Sequence, residues 1–67
     1  MWTADIGCWE YGKNVDLPDA KDLNEALKKA NEILATVKFS RPIKDPYVVQ
    51  VYNNEGKVVF DYMNGGY

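Results

Sequence analysis

The chain contains no histidine and a single cysteine, Cys8. Without histidine it lacks the side chain that most often carries proton transfer and metal ligation near neutral pH. One cysteine cannot close an intrachain disulfide, so no covalent staple supports the fold, and such thiol usage suits a reducing compartment. No apolar run approaches the roughly 18 residues needed to span a bilayer. The opening stretch, MWTADIGCWE, has neither the basic start nor the apolar core of a secretory signal. The expectation is a cytoplasmic protein with no membrane partner. A surplus of positive charge is also missing. Eight Lys and Arg against ten Asp and Glu give a net charge of -2, which argues against nucleic acid as a partner.

Motifs that carry chemistry are missing as well. Acid–base catalysis needs two carboxylates brought together in a pocket, and nothing in the spacing of Asp5, Glu10, Asp16 and Asp61 pairs them. The stretch VYNNEGKVVFDY misses the calcium-loop pattern at its first and last positions. No helical pattern follows Gly65-Gly66, so there is no phosphate loop. Cys8 has no histidine to activate it and reads as a buried structural residue. The sequence thus predicts a protein that is not an enzyme, with no catalytic residue, no cofactor and no metal ligand.

What is present is a foldable core. Sixty-seven residues of which 46 % are apolar make one globular domain, near the lower limit for unaided folding. Leu23, Ala26, Leu27, Ala30, Ile33, Leu34 and Val37 form a single apolar stripe at helical spacing. Asp22 followed by Glu25 suits the start of that helix, and Glu25 to Lys29 is a favourable charge spacing on its outer face. The prolines of FSRPIKDP end it, which predicts a helix over about 22–38.

Two strands follow, about 46–53 and 57–63. Asn53-Asn54-Glu55-Gly56 suits a type I turn with Gly56 as the left-handed residue of a bulge, pairing Tyr52 with Val58, Gln50 with Phe60 and Val48 with Tyr62. Strict alternation then puts Val48, Gln50, Tyr52, Val58, Phe60 and Tyr62 on one face. Tyr47, Val49, Val51, Val59, Asp61 and Met63 fall on the other. The N-terminus reads as a strand over about 1–10, with Trp2, Ala4, Ile6 and Cys8 inward. Gly12-Lys13-Asn14 reads as a turn before a short strand at 15–17. Residues 64–67 read as a flexible tail. The predicted fold is α+β: a small sheet of three to four strands in β-(β)-α-β-β order, with one amphipathic helix on one face.

One helix covers one face of a sheet. With the compact Val49, Val51 and Val59 inward, the face bearing Tyr52, Phe60 and Tyr62, with Val48 and Val58, is left for solvent or a partner. Trp9 and Tyr11 extend it. The expected function is a small non-catalytic interaction module, an adaptor or inhibitor of a larger protein. Its partner is another protein or a second copy as a homodimer, unless the loop FSRPIKDPY covers the face instead. Very small acidic chains without chemistry of their own are common among inhibitors encoded by phages and mobile elements.

Two alternatives rest on other residues. Lys38, Arg41 and Lys44 form a basic contact loop that, with sheet aromatics, suits single-stranded nucleic acid. Gly65-Gly66 and the element order resemble those of ubiquitin-like carriers and modifiers, which end in an unhindered diglycine. That resemblance implies a tail entering an adenylating or ligating active site after removal of Tyr67. The tight hairpin before the tail departs from the longer excursion of those folds.

Overall fold

A computed structural model of the chain describes residues 1–39 and 41–62. Residues 63–67 lie outside the described residues, so the diglycine reading, the expected tail at 64–67 and the expected strand end at 63 fall there too. The element order is β1 (Trp2–Gly7), β2 (Gly12–Leu17), α1 (Leu23–Leu34), β3 (Tyr47–Tyr52) and β4 (Val58–Asp61). The four strands form one antiparallel sheet in the order β2-β1-β3-β4. The helix packs across β1, β3 and β2 on one side, making a small α+β fold. No helix among the described residues is long and apolar enough to cross a membrane.

The helix starts where its cap requires. Asp22 is extended, and its Oδ1 accepts from the Glu25 backbone N–H at 2.9 Å, satisfying one of the orphan donors of the first turn. It stops at Leu34, short of the expected 38. The N–H groups of Thr36 and Val37 both turn back onto the Ile33 carbonyl, and the Thr36 hydroxyl does the same at 3.3 Å. Val37 and Phe39 nevertheless still pack against the core. Lys29 pairs with Asp19 at 3.8 Å rather than with Glu25, a contact between exposed groups that contributes only tenths of a kcal/mol.

The first hairpin is longer than expected. Gly12-Lys13-Asn14 belongs to β2, and β1 and β2 pair residue for residue from Trp2–Leu17 to Gly7–Gly12. The turn is Cys8–Tyr11, closed by the Cys8 N–H on the Tyr11 carbonyl at 3.0 Å. Two glycines allow it. Gly7 takes φ +122°, where a side chain is strained, and a Cβ there would lie 2.7 Å from the Gly12 Cα. A Cβ on Gly12 would run into the Ile6 carbonyl.

The second hairpin follows its turn chemistry. Gly56 has φ +79°, Asn53 pairs with Lys57, and the Asn53 Oδ1 accepts from Glu55 and Lys57 N–H groups at 2.9 and 3.0 Å. Tyr52 faces Val58 as expected, but beyond that pair the register differs. Phe60 faces Val51 and Asp61 faces Gln50, because Val59 is the extra residue of a bulge in β4. A second bulge makes Val49 the extra residue of β3, between Val48 opposite Ile6 and Gln50 opposite Asp5.

These two bulges overturn the faces drawn by strict alternation. Val48 is buried in the core cluster with Ala4, Ile6, Leu17, Ala26, Ala30 and Val51, and Phe60 and Val59 pack against it. Gln50 and Tyr52 lie on the opposite side, so Val48 and Phe60 do not share a face with Tyr52. Val49 is buried yet takes no part in that core cluster. Cys8 stands in the turn, half-buried, with its thiol donating to the Tyr11 carbonyl at 3.1 Å, rather than inside. Of the loop FSRPIKDPY, Phe39 packs against the core cluster and Arg41 lies over the Tyr11 ring.

Candidate functional site

The outer face of the sheet is polar. Strand pairing sets Asp5 between Asn14 on β2 and Gln50 on β3, with Asp61 beyond Gln50 on β4. Alternation from Asp5 and Asn14 adds Thr3 and its partner Asp16 to the same side. The side chains are joined. Asn14 Nδ2 donates to Asp5 Oδ1 at 3.0 Å, and the Tyr52 hydroxyl lies 2.8 Å from Asp5 Oδ2 and 2.7 Å from Gln50 Oε1. Gln50 Nε2 donates to Asp61 Oδ2 at 3.2 Å.

One hydroxyl proton cannot serve two acceptors, so the row of groups holds more acceptors than donors around Tyr52. Burial, the hydrogen bond to Asp5 and the negative charges of Asp5 and Asp61 together raise the Tyr52 phenol above the usual tyrosine range. Asp5 and Asp61 are therefore linked through Tyr52 and Gln50, which sequence spacing did not reveal, since β1 and β4 flank β3 only once the strand order is known. Asp5 receives neutral donors on both oxygens, an arrangement that fixes a carboxylate's position.

The aromatic residues gather at one end of the sheet rather than over a face. Gly7, where β1 ends, pairs with Tyr47, where β3 begins. The Tyr47 hydroxyl accepts from the Trp9 backbone N–H at 3.2 Å, and its ring lies 4.5 Å from that of Tyr62, tilted by 37°. Trp9 is 63 % exposed, Tyr62 55 % and Tyr11 40 %. Val58 is half-buried on β4 opposite Tyr52, at the other end of the sheet. Of the expected contact residues, then, the fold brings Trp9, Tyr11 and Tyr62 together. It leaves Tyr52 in the polar row and Val48 and Phe60 on the core.

The basic loop does not form one patch with the aromatics. The Lys38 carbonyl accepts from Lys13 Nζ at 3.1 Å, the Arg41 guanidinium sits 5.0 Å from the centre of the Tyr11 ring, and Lys44 is exposed. Only Arg41 engages an aromatic residue of that end.

Between the polar row and the first hairpin's turn lies an open groove of about 370 Å³. Val49, Asp5, Asn14 and Gln50 line its sheet side, and Cys8, Trp9, Glu10 and Tyr11 its loop side. Sequence reasoning missed Val49, Gln50 and Tyr47 as site residues. Gln50 carried a signal, being the one polar residue in YVVQVY. Among the described residues no cluster of His, Cys, Asp or Glu could hold a metal ion. Compared with known proteins, this chain matches no protein-family model, no curated protein and no solved structure.

Proposed function

We propose that the protein is a non-catalytic interaction module whose contact surface is the aromatic end of the sheet, with Trp9 at its centre. The observation that supports this reading is the exposure of Trp9, Tyr11 and Tyr62 on a well-fixed frame. The turn that carries Trp9 and Tyr11 is held by two backbone N–H donors, Cys8 to the Tyr11 carbonyl and Trp9 to the Tyr47 hydroxyl. Large rings presented on a frame of this kind lose little entropy when they bind, which is why Trp and Tyr dominate interface hot spots. A single thiol and an absence of disulfide staples favour action in a reducing compartment such as the cytoplasm.

The test is site-specific crosslinking in cells. A photo-reactive residue at position 9 should give one dominant protein adduct, identified by mass spectrometry and suppressed by excess unlabelled chain. The same residue at Glu32, on the outer face of the helix, should give none. Equal yields at the two positions would remove the case for a defined contact surface. An adduct with a second copy of this chain would make the module a self-associating one.

A further inference from the structure

The sheet has two outer strands, and they end it differently. β4 is four residues long and carries the Val59 bulge. A short, bulged edge resists pairing with another chain. β2 has six residues in unbroken register with β1, and no other strand of the sheet pairs with it. Gly12, Lys13, Asn14 and Asp16 are exposed along it.

The backbone groups that β2 offers follow from its ladder. Antiparallel pairs alternate between hydrogen-bonded and non-bonded. The Cys8 N–H bonds the Tyr11 carbonyl, so every second pair from there is bonded: Ile6–Lys13, Ala4–Val15 and Trp2–Leu17. Asn14 and Asp16 therefore turn their N–H and C=O groups outward. Pro18, just past the strand, has no N–H to add. The open edge is centred on Val15.

We propose that this edge pairs with the same edge of a second copy, antiparallel, about a symmetry axis at Val15. The strand is complementary to itself in that register. Asn14 of each copy faces Asp16 of the other, and the two exchange N–H and C=O groups, about four bonds in all. The Asn14 amide gives one N–H to Asp5, and its second N–H is left for the exposed Asp16 carboxylate across the axis. Half-buried Val15, on the helix side with Ala4, meets Val15 of the other copy at the close spacing of a non-bonded pair.

Charge agrees with the direction. Lys13 stands near the start of β2 and Asp16 near its end, so antiparallel pairing brings unlike ends together. The Lys13 ammonium is engaged by its own chain's Lys38 carbonyl and leaves the edge open. A strand this short buries less than the ~1,000 Å² of a durable interface, so the dimer is a weak one. The turn bearing Trp9 directly precedes β2, so the pair sets its two aromatic ends at opposite ends of one continuous sheet. A bivalent module of that shape bridges two targets and gains avidity without any new contact. The pairing itself does not depend on what the aromatic ends bind.

The test is an NMR dilution series of the full chain, from millimolar downward. The Asn14 and Asp16 amides should shift with concentration while the Val58 and Asp61 amides stay fixed. In an equal mixture of labelled and unlabelled chain, the Val15 Hα should show a contact to the Val15 Hα of the other copy. Asp16→Pro removes an outward N–H from each copy and no bond to β1, so affinity should fall about tenfold or more. Unchanged β1 and β3 amides verify its fold. Should that variant not fold, Asp16→Lys puts like charge at both ends of β2 and should weaken association severalfold, less so at high salt.

Shifts independent of concentration would overturn the proposal, as would association that survives Asp16→Pro or, in its place, Asp16→Lys. Shifts confined to β4, or to Trp9 and Tyr62, would overturn it in favour of another self-contact. A photo-reactive residue at position 16 that captures a different protein in cells, and no second copy, would overturn it in favour of a foreign strand.

Discussion

Replacing Phe60 by alanine removes a ring that reaches the core from the edge strand β4, opposite the fully buried Val51. A phenylalanine side chain and its backbone bury about 150–250 Å² when enclosed. With roughly two thirds of that covered at this edge, about 130 Å² at ~25 cal/mol per Å² is about 3 kcal/mol. A compact unfolded state lowers this to about 2–3 kcal/mol. A chain of 67 residues is expected to have a total stability of about 3–10 kcal/mol, so the loss is a large share of it. The unfolding temperature should fall by about 10–20 °C. Trp9→Ala provides the contrast: its ring is 63 % exposed, and the change should stay within about 0.5 kcal/mol. Circular dichroism during heating and urea titration of both variants would measure the two quantities, with equal urea slopes showing that the unfolded states are comparable. If Phe60→Ala were as mild as Trp9→Ala, the ring would not be part of the core. The β4 bulge, and with it the assignment of faces, would then be wrong.

Gly12→Ala should cost about 2 kcal/mol or more, since its Cβ would run into the Ile6 carbonyl within the β1–β2 ladder. Gly56→Ala meets no atom within 4 Å and should cost only the left-handed backbone strain, about 1–2 kcal/mol. Equal or reversed losses in urea titration would contradict the close approach of the two strands. Tyr52 makes stability depend on pH at the alkaline end. Its folded phenol holds its proton to higher pH than the unfolded one, so its contribution is complete below about pH 10 and is lost as pH rises through the folded value. The urea midpoint of the wild type should fall more steeply above about pH 10 than that of Tyr52→Phe. Parallel curves would show that the phenol is not held by Asp5.

The helix, its Asp22 cap and the Asn53–Gly56 turn were legible from residues 22 to 57 because each depends on neighbours a few positions away. A stripe at helical spacing, a side chain that caps the next turn and a glycine in a left-handed position are local properties. The β-(β)-α-β-β order followed from these same signals. The helix end was misplaced because Thr36 and Val37 turned onto Ile33, a choice that the downstream prolines do not force.

The use of the two sheet faces was not local. Whether Val48 or Val49 points into the core depends on which residue of β1 each one meets, and Val49 meets none. A bulge exists only in a pairing, so alternation along a single strand cannot reveal it. The same holds for the first hairpin, where Gly7 and Gly12 matter because they touch. It holds too for the polar row, where Asp5 and Asp61 are joined through Tyr52 and Gln50 because β1 and β4 both lie beside β3. Local sequence determined which elements form and where they turn. The pairing between distant strands decided which side chains the helix covers, and so placed the rings at the end of the sheet and the carboxylates on its open face.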